Sequence, residues 1–240
     1  MRVMRPIVAC VVLALGIVVE ADAGILLTRN DLDTSLGAAA STEDFESWTG
    51  SALTAPDFDT LDSSTILGGQ GPGIVNDGLL FTADPGPAGF SFLQLDRSGF
   101  YNVPSGSLLA VGQGLIIDFQ DFVTDAGFDF FEFDGSADTA TITVFGADDT
   151  TLLYTSGLLS APNAPASNFF GYQDLGGIGK IEISSTNRPF SPLIDNLTYG
   201  STVAPVPEPS TMALIAIGAG LAGLNALRRR RGARHAETTA

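Results

Sequence analysis

Along the middle of this chain, short apolar runs alternate with polar residues and are cut by Gly, Pro, Asn and Asp. No stretch there sustains a helical period, and runs of this length and spacing predict strands. They fall at Phe45–Trp48, Leu79–Thr82, Phe90–Leu95, Leu108–Val111, Leu115–Phe119, Gly127–Phe133, Thr139–Phe145, Thr151–Thr155, Ile178–Ser184 and Leu193–Tyr199. Ala147–Thr150 reads as the turn of a hairpin. Turn signals every ten or so residues predict an all-β fold, a two-sheet antiparallel sandwich. The 16 phenylalanines are the natural core. Residues 30–78, rich in Ser, Thr, Asp and Gly, read as softer and loop-rich.

The two ends have a different texture. Arg2 and Arg5 precede an apolar run from Ile7 to Val19, and Ala21-Asp22-Ala23 follows. That is the layout of a signal peptide, residues 1–23, with Ala21 and Ala23 placing cleavage after 23. At the other end a linker, 201–210, carries Pro207-Glu208-Pro209. An apolar run at 211–227, then Arg228-Arg229-Arg230-Arg231, then the rest of a basic tail to 240, complete the chain. Seventeen residues lie at the short limit for a membrane-spanning helix, and four arginines hold the tail on the cytoplasmic side. The foldable part is therefore one domain, 24–200.

Charge narrows the partners. Between residues 24 and 207 only Arg29, Arg97, Lys180 and Arg188 oppose 23 acids, a net charge of −19. Such a surface repels phosphate backbones, so nucleic acid is excluded as a partner. Its natural counter-ions are hard divalent cations such as calcium. The single cysteine, Cys10, lies in the N-terminal apolar run, and the single histidine, His235, lies beyond the C-terminal one. The domain has neither, which removes disulfides, thiol nucleophiles, Ser-His-Asp triads and His or Cys zinc sites together.

The order Pro207-Glu208-Pro209, apolar helix, Arg228–Arg231, chain end resembles the PEP-CTERM sorting signal of Gram-negative bacteria. The resemblance covers about 205–231, although nine residues trail the arginines where such tails usually stop sooner. It implies recognition by an exosortase-like membrane enzyme and routing to the cell surface or extracellular matrix. The strand series from Phe119 to Leu197 is similar to the β-sandwich of many such proteins and to jelly-roll carbohydrate-binding modules. In those modules acids from the first and last strands often hold a structural calcium. The resemblance implies Asp44 and Glu46, near the first strand, and Asp195 in the last as that set. Alternation would place Asp44 and Glu46 on one side of their strand, opposite Phe45. The bland reading is solvated strand-edge acids with Asp195 capping a turn.

Other candidates are weaker. Asp57–Asp62 lacks the Gly and Glu that a calcium-binding EF loop needs at its sixth and twelfth positions, where Asp62 and Gly68 stand. Gly68–Gly73 has no following Gly-Lys-Ser/Thr, so it is a loop and not a phosphate cradle. The acids from Asp118 to Asp138 read as a solubilising surface. Trp48, Tyr101, Tyr154, Tyr172 and Tyr199 would stack on sugars if exposed, but core packing is their ordinary fate. Three functions stay in play: a non-enzymatic envelope or polysaccharide-matrix protein, a calcium-stabilised carbohydrate-binding module, and a glycoside hydrolase. Nothing in the sequence marks a pair of carboxylates with separated environments, so the expected class is non-enzymatic.

Overall fold

Two strands set the architecture. In the computed structural model, which describes residues 23–50, 59–84, 92–96, 105–111, 114–131, 138–185 and 190–202, β7 (Gly114–Phe131) and β11 (Asn168–Ser185) are each 18 residues long. Around them lie β1 (Gly24–Leu26), β2 (Ser41–Glu43), β3 (Thr60–Asp62), β4 (Leu79–Asp84), β5 (Phe92–Asp96) and β6 (Ser107–Val111). The remainder are β8 (Asp138–Gly146), β9 (Leu152–Thr155), β10 (Leu159–Ala161) and β12 (Phe190–Gly200). The described residues fall almost wholly in the first of two compact units, Met1–Ser201.

β7 and β11 run antiparallel to each other through both layers of the sandwich. In the first layer, the start of β7 pairs with β4 and the end of β11 pairs with β8. In the second, the end of β7 pairs with β12 and the start of β11 pairs with β1. The passage between layers is marked by register shifts between Gln173 and Ile178 and between Ile178 and Lys180. Strands change sheets at such bulges. β3 extends the first layer beyond β4, while β9 and β10 lie beyond β8; β2, β6 and β5 extend the second beyond β12. The all-β class and the antiparallel sandwich are as the sequence predicts.

Alternation along β7 sends Leu115, Ile117, Phe119, Ala126, Phe128 and Phe130 into one buried core with Phe81, Ile142, Val144, Phe170, Tyr172, Ile181 and Ile183. Tyr154 of β9 stacks on Phe170 and Tyr172 of β11, with centroids 6.2 and 5.5 Å apart, which joins the layers. Phenylalanine does supply the core, and Trp48, Tyr172 and Tyr199 are buried in it; Tyr101 lies outside the described residues.

Three expectations need correcting. The predicted breaks at Phe119 and Ile178 do not exist: Leu115–Phe119 and Gly127–Phe131 are one strand, and β11 starts ten residues before Ile178. In place of the predicted strand Phe45–Trp48 stands β2, Ser41–Glu43; Phe45 has φ 55°, so the alternation expected of Asp44 and Glu46 does not apply. The softer segment contains a helix, α1 (Arg29–Leu36). Thr28 caps it: its Oγ1 accepts from Asp31 N at 3.2 Å and its N donates to Asp31 Oδ2 at 2.9 Å, a reciprocal capping box. Leu32 and Leu36, one turn apart, are both buried and lay α1 on the outer face of the second layer.

All of the predicted signal peptide 1–23 except Ala23, the motif Pro207–Pro209, the apolar run 211–227 and Arg228–Arg231 lie outside the described residues. Among the described residues no helix is long and apolar enough to cross a membrane.

Candidate functional site

Acids from the start and the end of the domain meet beside β6. Glu43 closes β2 with its side chain turned inward, 3% exposed. Its Oε1 accepts from Phe45 N at 2.8 Å and its Oε2 from Asn76 N at 2.6 Å. Burial pushes the Glu43 carboxyl above its usual range, while these two backbone donors pull the other way. The bonds fix the left-handed turn at Phe45, which reverses the direction of the residues that follow. Asp44 then points to solvent, where its Oδ1 accepts from Glu46 N at 3.1 Å.

Glu46 reaches across to the loop before β6. Its Oε1 accepts from Gly106 N at 2.6 Å. Close approach is possible because residue 106 is glycine: a Cβ there would lie 2.7 Å from the Phe45 carbonyl oxygen. Asp195 in β12 comes to the same loop from the other side. Its Oδ2 accepts from Ser105 Oγ, and its Oδ1 accepts from Asn196 N at 2.6 Å. Glu46 and Asp195 thus converge on Ser105-Gly106; Asp44 does not join them.

Asp195 stands opposite Asp129 across the β12–β7 ladder. Burial chiefly, then the charges of Asp129 and Glu46, raise its pKa to about 6, against the two hydrogen bonds it receives. Asp129 is itself paired. Arg29 Nη2 lies 3.1 Å from Asp129 Oδ2, Nη1 donates to Thr198 Oγ1 at 3.1 Å, and the guanidinium sits 5.1 Å from the Phe169 ring centroid. Among the described residues no group of three or more acid, His or Cys side chains is drawn together as a metal cage. The oxygens nearest to calcium chemistry are the Glu46 and Asp195 carboxylates and the carbonyls of Asp44 and Phe45 that press on Gly106.

Sequence reasoning missed Glu43, Ser105 and Gly106. A strand counted from Ser41 instead of Phe45 would have turned Glu43 inward; nothing local marks Ser105 or Gly106. Of the acids read as a solubilising surface, Asp125 is fully buried.

Residues 205–231 match the family model of the PEP-CTERM protein-sorting motif. The chain carries a PEP-CTERM sorting tail. The match takes in Pro207-Glu208-Pro209 and Arg228–Arg231, and it makes the protein an exported one, sorted to the cell envelope. None of the curated proteins matches the chain.

Among solved structures, the sandwich is similar to the CBM22-1 xylan-binding domain of Paenibacillus barcinonensis Xyn10C, with 13% identity, 68% of this chain and 95% of that one covered, and a TM-score of 0.37. It is also similar to the K2 cleaved adhesin domain of Lys-gingipain, with 17% identity, 67% and 99% covered, and a TM-score of 0.35. A third is the family 11 carbohydrate-binding module of Clostridium thermocellum, with 11% identity, 69% and 97% covered, and a TM-score of 0.28. Likeness at this level concerns the fold alone.

Proposed function

We propose that this chain is a non-catalytic protein of the cell envelope or extracellular polysaccharide matrix, whose acidic sandwich is delivered and held there by its two ends. In this reading residues 1–23 direct export and are removed. The apolar run at 211–227 holds the domain outside the inner membrane until an exosortase-like enzyme acts at Pro207-Glu208-Pro209. The observation that carries the proposal is the sorting motif at 205–231. The arrangement of the acids agrees with a non-catalytic role. Both oxygens of Glu43, and those of Asp195, are committed to holding the turn at Phe45, the Ser105 loop and the β12 backbone.

Mass spectrometry of the protein from its own cells tests this. The expected product begins at Gly24 and lacks peptides beyond the Pro207–Pro209 motif. An intact, uncleaved chain in the cytosol would falsify the proposal.

A second reading adds ligands: a calcium-stabilised carbohydrate-binding module. Its metal half is supported by the convergence of Glu46 and Asp195 on one loop. Calcium there would tie the segment after β2 to β12, close to the two ends of the domain. The sugar half is tested by adding neutral glycans to the full chain and following binding.

A further inference from the structure

Where β7 and β11 pass from one layer to the other, a cavity of about 290 Å³ opens between the β8–β9 turn and the bulge of β11. It is lined by Gly146, Gly176 and Gly177, by the apolar Ala147 and Leu153, and by the polar Asp148, Thr151 and Asp174. We propose that this cavity is a sugar subsite that takes one neutral pyranose ring, with Asp174 accepting hydroxyl hydrogen bonds and Phe122 stacking on the ring's C–H face. The proposal rests on the glycan-binding reading above and gives it an address.

Asp174 is the first ground. It is 7% exposed, and its Oδ1 accepts from Gly176 N at 2.8 Å. Among the described residues no donor reaches its Oδ2. That oxygen is reached by solvent and not sealed in, so it is open to a hydroxyl entering the cavity that Asp174 lines, and a charged acceptor makes roughly twice the bond of a neutral one. Asp148 stands across the cavity as a second acceptor. The Thr151 hydroxyl and the Thr150 and Thr151 amides hold its carboxyl well below the usual range, so it stays ionised.

Phe122 is the second ground. Most of the phenylalanines whose burial is described are buried, but this one is 50% exposed. It packs on Gly177 so closely that a Cβ there would lie 2.6 Å from its Cδ2 and 3.2 Å from the Ala147 Cβ. The φ of +100° at Gly177 independently requires glycine. An exposed ring packed on Gly177, a residue that lines the cavity, offers an apolar face beside the space that Asp148 and Asp174 also line, the pairing that a sugar presents in reverse.

Size and charge set the class. The volume lies at the small end of ligand pockets, ~300–1,000 Å³, which suits one ring and not a chain. The nearby cation, Lys180, is taken up by Glu182 at 2.8 Å and by the Phe145 ring, 4.2 Å from its centroid. Asp148 and Asp174 would therefore repel a uronate and accept from neutral hydroxyls. The cavity is separate from Glu46 and Asp195: Phe122 and Asp129 are seven residues apart on β7, roughly 20 Å.

Saturation-transfer NMR on the full chain in detergent tests the site. The probes are the methyl pyranosides of glucose, galactose, mannose, xylose and glucuronic acid, together with cellohexaose. Transfer is expected to at least one neutral probe and not to the glucuronide. Phe122→Ala and Asp174→Asn should each weaken it about tenfold or more with Tm preserved, since Asn keeps an acceptor for Gly176 N and Phe122 is half exposed. Neutral probes that bind equally well to both variants overturn the cavity and leave the glycan reading standing. No transfer to any probe overturns both. Preferred binding of the glucuronide overturns the charge argument and the site with it.

Discussion

Gly127 of β7 and Leu32 of α1 meet without room for a methyl group between them: a Cβ on Gly127 would lie 2.9 Å from Leu32 Cδ2. The same Cβ would lie 2.8 Å from the Phe170 carbonyl oxygen and 2.9 Å from Phe169 Cζ. Backbone carbonyl and packed ring cannot both give way. Gly127→Ala should destabilise the fold by about 1–3 kcal/mol, the usual cost of overpacking. Thermal unfolding should show Tm lower by roughly 3–10 °C; an unchanged Tm would mean that α1 is not seated on β7.

Asp125 is fully buried, two residues along the same face. It accepts from Ser35 Oγ at 2.6 Å, Thr124 Oγ1 at 2.6 Å and Gln173 Nε2 at 2.9 Å. Asp125→Ala strands those donors and should cost about 2–4 kcal/mol. Ser35→Ala removes one bond and should cost about 1 kcal/mol. Denaturant midpoints that rank the two variants in the opposite order would refute the network.

On the outer face of the first layer, Asp118 sits opposite Lys180. Burial, then the charge of Asp149, push its carboxyl up; Lys180 opposes them and Glu182 adds to them. With its folded pKa above the unfolded value, the folded chain holds this proton more tightly, so stability falls as pH rises through that window. Asp118→Asn should therefore raise Tm at pH 7 by about 1–3 °C. The gain should vanish below the ordinary carboxylate range, where Asp118 is protonated in both states. A gain that persists at pH 3 would point to a cause other than charge.

Calcium at Glu46 and Asp195 should raise Tm of the full chain at millimolar concentration, as any ligand of the folded state does. Asp195→Ala should abolish the rise, and Asp44→Ala should leave it in place, because Asp44 turns away into solvent. Equal loss in both variants would restore the three-acid set and displace the pair described above.

The sandwich was legible because alternation survives in β4, β8 and the first half of β7, each buried chiefly on one side. The continuity of β7 was not: Gln120-Asp121 looks like a loop, and is the point where the strand leaves one layer for the other. Asp44-Phe45-Glu46-Ser47 mimics strand alternation, but Phe45 is buried from a left-handed turn held by Glu43. The helix α1 escaped notice because eight residues with two leucines carry little periodic signal. Asp125 reads as solvated until Ser35, ninety residues earlier, is folded onto it.

Because β7 and β11 each belong to both sheets, neither sheet has an edge along which it can come away alone. Opening one layer tears out strands that the other depends on, so the domain should melt in a single step, with no surviving half. For an exported protein of the cell envelope, that leaves proteases only two states to meet, whole or fully open.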